Sequence, residues 1–224
     1  MDYTTPEKDK SALLSIDVQQ DFTLPGAIAQ IPGTMEKVDQ MKRLLEAYRK
    51  YDRPIIHVVR LYLRDGSNVD ASRRQIIEQG KKIVSPGSTG AELVNELKPT
   101  PNVRLDVRLD ADTLLASQLQ RIGQREWIMY KPRWDGFYQT SLETHLRNLE
   151  VNTVVIAGCN FPNCPRATVY GASMRDFRIA MVTDGISGIY ERGLQEMENI
   201  GVHLMTTQQC LDWLSTSENA ALIK

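Results

Sequence analysis

Three residues follow apolar runs in a way that suits nucleophilic catalysis. Asp17 closes Leu14-Ser-Ile-Asp, Lys131 directly follows the run at 126–130, and Cys164 ends Gly158-Cys-Asn-Phe-Pro-Asn-Cys. A deprotonated thiol is a strong nucleophile, a carboxylate can take its proton, and an ammonium favours both anions. Pro165 suits the first turn of a helix, and Ala167, Gly171 and Ala172 continue it with small side chains. A thiol at that helix start meets the positive end of the dipole, so its pKa is expected to fall, and a nearby Lys131 is expected to lower it further. Taken singly, each residue also has a plainer reading. A cysteine is more often a small buried hydrophobe, an aspartate at a strand end a turn former, and a lysine a solvated charge.

The elements that must position these groups are legible in the hydrophobic pattern. Apolar runs at 12–16, 54–59, 126–130, 153–157 and 178–182, with a weaker one at 202–205, are rich in Ile and Val and hardly alternate. Strands buried on both faces read this way. Met35, Val38, Met41, Leu44, Leu45 and Tyr48 recur at helical spacing. Thr140-Ser-Leu-Glu143 reads as a capping box ahead of Leu142, Leu146 and Leu149. Segments 191–200 and 206–214 read as two further helices. The alternation predicts an α/β fold, with a doubly wound parallel sheet, helices on both faces and right-handed crossovers. A single domain is expected over 11–215, flanked by a polar extension at 1–10 and a polar tail at 216–224. Segment 64–101, with Gly66, Gly80, Pro86, Gly87, Gly90, Pro99 and Pro101, reads as an irregular insertion, a lid or an oligomer contact. Ligands of such sheets bind beyond the carboxyl ends of the strands, where Asp17, Lys131 and Cys164 would converge.

Bulk properties narrow the function classes. The net charge is -1 over 224 residues, so no basic excess points to nucleic acid or an anionic membrane surface. No apolar run approaches the roughly 20 residues of a membrane span, and the first ten residues lack a signal-peptide core. A cytoplasmic location is the expectation. Three cysteines, an odd number, argue against a disulfide framework. His57, His145 and His203 are dispersed, without the spacing of a metal site.

Three motifs, Ser15-Ile-Asp17-Val-Gln-Gln-Asp21-Phe22, Lys131-Pro-Arg-Trp-Asp-Gly-Phe137-Tyr-Gln-Thr140 and Ala157-Gly-Cys-Asn-Phe-Pro-Asn-Cys164, together resemble the isochorismatase-like cysteine hydrolases in order and spacing, over about residues 11–210. The resemblance implies a catalytic triad of Asp17, Lys131 and Cys164. It also implies a non-proline cis peptide between Cys159 and Asn160, and an oxyanion hole from the amides of Asn160 and Cys164. Cys159 falls at a usually aliphatic position and reads as packing. The implied activity is hydrolysis of a C–N bond in a small amide, ureido or carbamoyl compound through a thioester, with no cofactor and no metal. Relatives of this kind are dimers or tetramers, so a homo-oligomer is expected. The nicotinamidase-like branch binds metal through an Asp and two His after its second strand. Here that stretch runs His57-Val-Val-Arg-Leu-Tyr-Leu-Arg-Asp65, which disfavours nicotinamide.

The stretch Asn160-Phe-Pro-Asn163 and Pro165 depart from the family pattern. Phe22, Trp134 and Phe137 are candidate substrate contacts, although Phe137 and Tyr138 equally suit packing of the helix after Thr140. Arg60, Arg133 and Arg166 are candidates for holding a substrate carboxylate. Other readings stay open. One is an isochorismatase-type ether hydrolase, which would not need Cys164, and another is a non-catalytic binding protein on the same fold. A thiol redox or metal pair of Cys159 and Cys164 lacks the Cys-x-x-Cys spacing.

Overall fold

The computed structural model describes residues 2–99 and 107–216. Pro101, at the end of the expected insertion, and the expected tail beyond 216 lie outside the described residues. The chain runs β1 (Ser11–Ile16), α1 (Gln20–Thr23), α2 (Val38–Lys50), β2 (Ile55–Val59), α3 (Ala71–Glu78) and α4 (Ala111–Leu115). It continues with β3 (Gln120–Gly123), β4 (Glu126–Tyr130), α5 (Leu142–Asn148), β5 (Thr153–Gly158) and α6 (Cys164–Ser173). It ends with β6 (Arg178–Ile186), α7 (Glu191–Glu198), β7 (His203–Met205) and α8 (Thr207–Ser215).

The seven strands lie in the order β3-β4-β2-β1-β5-β6-β7. From β1 the chain winds outward through β2 and β4, then returns to β5 on the other flank. β1 and β5 are therefore neighbours whose connections leave in opposite directions, which is the switch point where a crevice opens in such sheets. All pairs are parallel except β3 with β4. The expected doubly wound parallel fold is present, with one antiparallel strand, β3, added at its edge. Gln120-Arg-Ile-Gly123 is short and polar with one apolar residue, as suits an edge strand, and so carried no hydrophobic-run signal.

Burial explains the rest. Alternate residues of β1 serve opposite faces. Ala12, Leu14 and Ile16 pack with α5, α6 and α7 through Leu142, Leu146, Val169, Ala172 and Met197. Leu13 packs on the other face with α2 and α8 through Met41, Leu44, Leu45, Tyr48, Cys210 and Leu214. Every residue of β1, β2 and β5 is buried, as the unbroken apolar runs require. The segment at 64–99 forms a third apolar cluster, in which Val69, Ile77, Ile83, Val84, Ala91 and Leu93 pack against Phe22, Val59, Leu61 and Tyr62. It is thus a wall built onto the strand ends.

The capping box expected at Thr140 does not form. Thr140 Oγ1 instead donates to the Gly136 carbonyl (2.6 Å), and Glu143 pairs with Arg175. A capping box does form at the start of α8, between Thr206 and Gln209. Its Thr-x-x-Gln pattern was readable in the sequence.

One buried charge cluster lies at the far end of β4. Arg49 Nε and Nη2 grip both oxygens of Glu126 (2.9 and 2.7 Å), and His57 Nε2 shares a hydrogen bond with Oε1 (2.7 Å). Burial alone would raise the Glu126 carboxyl. The hydrogen bonds and charges of Arg49 and His57 outweigh it and hold the group at about 2, against an ordinary 4.5. A pKa depressed on folding stabilises above the unfolded value and loses that stabilisation as pH falls through the folded one. Glu126→Gln is therefore expected to destabilise the protein near pH 7, on the order of 3 kcal/mol. The gap to wild type should close between about pH 4.5 and 2. Urea melts of both proteins across that range measure it. A gap independent of pH would contradict the assignment.

Candidate active site

Asp17, Lys131 and Cys164 meet at the carboxyl edge of the sheet. Asp17 is the first residue after β1 and adopts a left-handed φ of 56°, rare for a side chain other than Gly or Asn. It is held there from two sides: its amide donates to the Val58 carbonyl (2.8 Å), and the Cys159 thiol donates to its carbonyl (3.1 Å). Cys159 thus packs at the strand end and orients Asp17. Lys131 continues β4 with its amide on the Val59 carbonyl (3.0 Å). Its side chain is wholly buried and reaches across the end of β2, so that Nζ donates to Asp17 Oδ2 at 2.8 Å. Asp17 Oδ1 has no ordinary hydrogen-bond partner among the described residues. The Asp17 carboxylate is close enough to the Cys164 thiol to raise its pKa.

The nucleophile turn is set by packing. Gly158 has φ +126°, and a Cβ there would lie 2.2 Å from the Ile16 carbonyl oxygen, so only glycine lets β5 pass β1 so closely. The bond between Cys159 and Asn160 is cis, as the resemblance implied. Phe161 is fully buried, meets Tyr190 edge-on at 5.4 Å, and sits where a Cβ on Gly193 would fall 2.3 Å from its ring. Its amide donates to Ser187 (2.8 Å). The departure Asn160-Phe-Pro-Asn163 is therefore an anchor that pins the turn to α7. Behind it, Thr168 Oγ1 donates to the Cys164 carbonyl (2.8 Å) and accepts from the Gly136 amide (3.0 Å), tying α6 to the loop after Lys131. Neither the Asn160 nor the Cys164 amide donates to an acceptor among the described residues, which leaves both available to an oxyanion.

The thiol does not behave as the helix position suggested. Cys164 is pushed up to about 11, first by burial and then by the Asp17 carboxylate, against the weaker pull of Lys131 and Arg60. The expected lowering fails because Lys131 is already neutralised by Asp17 and the thiol is almost without solvent. A pKa raised this far favours the protonated thiol near neutral pH.

The other expected residues separate. Phe22 is buried just beyond Asp17, Trp134 stays partly exposed, and Phe137 packs into the core against Phe177 (5.6 Å) under Arg175. Phe137 is thus a packing residue. Arg166 is committed to Glu196 on α7, and Arg60, fully buried, pairs with Asp70. Arg133 donates to the Asn68 and Pro132 carbonyls (3.1 and 2.7 Å). Two residues escaped sequence reasoning. Gln19 bonds the backbone of both Arg60 and Ala91, and Arg73 on α3 donates to the Tyr62 hydroxyl (3.1 Å). Gln19 stood inside a quoted motif, whereas Arg73 lies in an irregular segment with no spacing to mark it.

No group of three or more His, Cys, Asp or Glu among the described residues is placed to hold a metal. His57 bonds Glu126, His145 packs edge-on to Trp127 (4.6 Å), and His203 is on edge strand β7. No described helix is long and apolar enough to cross a membrane.

Comparisons with known proteins agree with this architecture. Residues 11–209 match the model of the isochorismatase domain. A probable inactive nicotinamidase of Arabidopsis thaliana is 31% identical, over 89% of this chain and 93% of that protein. N-carbamoylsarcosine amidase of an Arthrobacter species is 24% identical, over 92% of this chain and 72% of that protein. The crystal structure of an isochorismatase family protein from Desulfovibrio vulgaris superposes with a TM-score of 0.77 at 29% identity, covering 92% of this chain and 99% of that one.

Two outcomes follow from the site. Alkylation of Cys164 by iodoacetamide, followed by peptide mass, should rise with pH toward about 11, and Asp17→Asn should move that profile down, because the carboxylate is the largest charge raising it. An unmoved profile would remove Asp17 from the thiol's surroundings. Phe161→Ala should destabilise by about 3–5 kcal/mol in urea melts, the cost of emptying a buried phenylalanine site.

Proposed function

The chain belongs to the isochorismatase family, and on that premise we propose that it is a cysteine hydrolase of a small amide, ureido or carbamoyl compound. The observation that carries this reading is the buried Lys131–Asp17 pair at 2.8 Å, whose second carboxylate oxygen has no partner among the described residues and whose charge raises the Cys164 thiol. A buried carboxylate with one oxygen unpartnered among the described residues can serve as the base for that thiol. The amidase among its relatives supports a C–N bond as the target.

In the proposed reaction the Cys164 proton passes to Asp17 as sulfur attacks the carbonyl carbon. Because the resting thiol holds its proton, transfer and attack are coupled, and no free thiolate accumulates. The amides of Asn160 and Cys164 hold the oxyanion. Asp17 returns the proton to the leaving nitrogen, the C–N bond breaks, and a thioester remains. Asp17 then takes a proton from water, whose oxygen attacks the thioester. The C–S bond breaks, and the proton returns to sulfur as the acid leaves. Lys131 holds Asp17 Oδ2 in place while the other oxygen takes and returns the proton. The residues do not suit a bound metal, since the three histidines are spread over β2, α5 and β7, and no step is assigned to one.

A second reading is a binding protein that performs no chemistry. The raised thiol pKa and the relative named as a probable inactive nicotinamidase favour it. Ammonia release from a panel of small amides, ureido acids and carbamoyl compounds separates the two. Wild type should release ammonia from at least one class without added metal, and Cys164→Ala should lose at least about a thousandfold in kcat/KM. Equal rates in the two proteins would remove Cys164 as nucleophile. No release from any compound would favour the binding protein.

A further inference from the structure

Asp17 follows β1 and Cys164 follows β5, two neighbouring strands, and a closed ring of hydrogen bonds joins the two ends. On one side the Asp17 carbonyl accepts the Cys159 thiol (3.1 Å). Cys159 follows Gly158, whose carbonyl accepts the Ser187 amide (3.2 Å). The Ser187 carbonyl in turn accepts the Phe161 amide (2.8 Å), so one residue bonds the nucleophile turn before and after Cys159-Asn160. On the other side the chain passes from Asp17 to Phe22, whose carbonyl accepts the Ile31 amide (2.8 Å). The Ile31 carbonyl accepts the Thr34 amide (3.2 Å). The ring closes between Thr34 and Ser187, where Thr34 Oγ1 donates to Ser187 Oγ at 2.9 Å. This is the ring's one bond between two side chains, and both residues are fully buried.

Ser187 reaches the turn through an irregularity of β6. β5 and β6 pair Ile156 with Met181, lose register, and pair again at Gly158 and Ile186. Bulges of this kind re-aim a strand end. The bulged stretch is pinned to the start of α8, where the Thr207 amide and hydroxyl both donate to Asp184 Oδ1 (2.6 and 2.9 Å). Gly188 follows with φ +70°, and a Cβ there would lie 3.3 Å from Pro162 Cδ and 3.5 Å from Asn160 Cβ. The end of β6 therefore lies directly against the turn. Thr34 precedes the helical turn Met35–Lys37, a place where a threonine hydroxyl commonly caps. Its side chain makes no cap bond and is spent on Ser187 instead. A buried hydroxyl left without a partner is costly, so each of the two holds the other in place.

We propose that the Thr34–Ser187 hydroxyl bond is a brace that fixes Asp17 against the nucleophile turn, so that Thr34 and Ser187 are positioning residues for the base and the thiol. This deepens the hydrolase reading and rests on it for turnover, although the brace itself does not. Neither residue bonds Asp17 or Cys164 directly. Thr34 acts through the loop that hangs from Phe22, and Ser187 acts through Gly158 and Phe161. A misplacement of about 1 Å between base and nucleophile is enough to slow proton transfer and attack.

The thiol reports the brace without any turnover. Thr34→Val and Ser187→Ala each remove one hydroxyl with little change in size. Loosening the brace lets the carboxylate move from the sulfur, and its part in holding the thiol at about 11 weakens. Iodoacetamide alkylation of Cys164 at pH 9, read by peptide mass, should therefore quicken about threefold in each variant, as a fall of about 0.5 in the thiol pKa requires. Thr34→Ser keeps the hydroxyl and should keep the wild-type rate. Tyr48→Phe is the control for stability. It breaks another buried hydroxyl pair, Ser11 with Tyr48 (3.2 Å), at the opposite end of β1. It should lower the melting temperature and leave the rate alone. In an Asp17→Asn background, Thr34→Val should add nothing, because no carboxylate is left to move. An unchanged rate in either hydroxyl variant would overturn the proposal, as would an equal rise in Tyr48→Phe. A rise that persists with Asp17→Asn would overturn it too, since that marks water entering the site. In ammonia release the two variants should lose about tenfold in kcat with KM unchanged, and an unchanged kcat would remove the positioning role. If no compound is hydrolysed but the alkylation pattern holds, the hydrolase reading falls and the brace stands. If alkylation is unmoved while the wild type turns over, the brace falls and the hydrolase reading stands.

Discussion

A lysine ammonium with no solvent and a carboxylate beside it persist in a protein interior only as a matched pair. Removing either charge leaves the other buried and uncompensated, at a cost of several kcal/mol. Lys131 and Asp17 are such a pair, and much of the carboxyl edge of the sheet is organised around keeping them together. The two residues leave strands that are not neighbours, because β2 lies between β1 and β4. Their contact therefore requires the register of all three strands to hold at once. Val58 and Val59 of the intervening strand supply the carbonyls that fix the Asp17 and Lys131 amides. The same pair accounts for the thiol. Burial is the first cause that raises the thiol, the carboxylate steadied by Lys131 adds to it, and a cation already satisfied has little left with which to oppose them.

Cys164 is held by the opposite device, apolar contact. Phe161, Gly193 and Tyr190 lock the turn before Cys164 to α7, and Gly158 allows β5 to lie against β1 without a side chain between them. The amides of Asn160 and Cys164 donate to nothing among the described residues, so the turn is not held by their hydrogen bonds. Packing of Phe161, the residue between them, supplies the rigidity instead.

Segment 64–99 contributes cover. Its apolar residues close a third cluster over Phe22 and Tyr62, and Gln19 stitches it to the strand ends through the backbone of Arg60 and Ala91. Placing α3 there sets Arg73 against the Tyr62 hydroxyl and over the Phe22 ring.

The strands, the helices of both faces and the order Asp17, Lys131, Cys164 were legible in the sequence for physical reasons. Fully buried parallel strands demand unbroken Ile and Val runs, amphipathic helices demand a 3.6-residue period, and reactive groups placed after strands mark a shared edge. Local patterns without burial behind them were weaker guides. The Thr140 box lost to a bond with Gly136, and the short polar strand β3 carried no signal because an edge needs few apolar residues. Three things belonged to tertiary structure alone. One was the sign of the Cys164 shift, since it depends on which charge stands nearest and how much water remains. Another was the division of the arginines, with Arg60 and Arg166 spoken for and Arg73 not, since pairing is decided between residues far apart in the chain. The last was the role of Phe161 as an anchor, because a phenylalanine in a loop becomes structural only when a distant glycine, Gly193, leaves room for its ring.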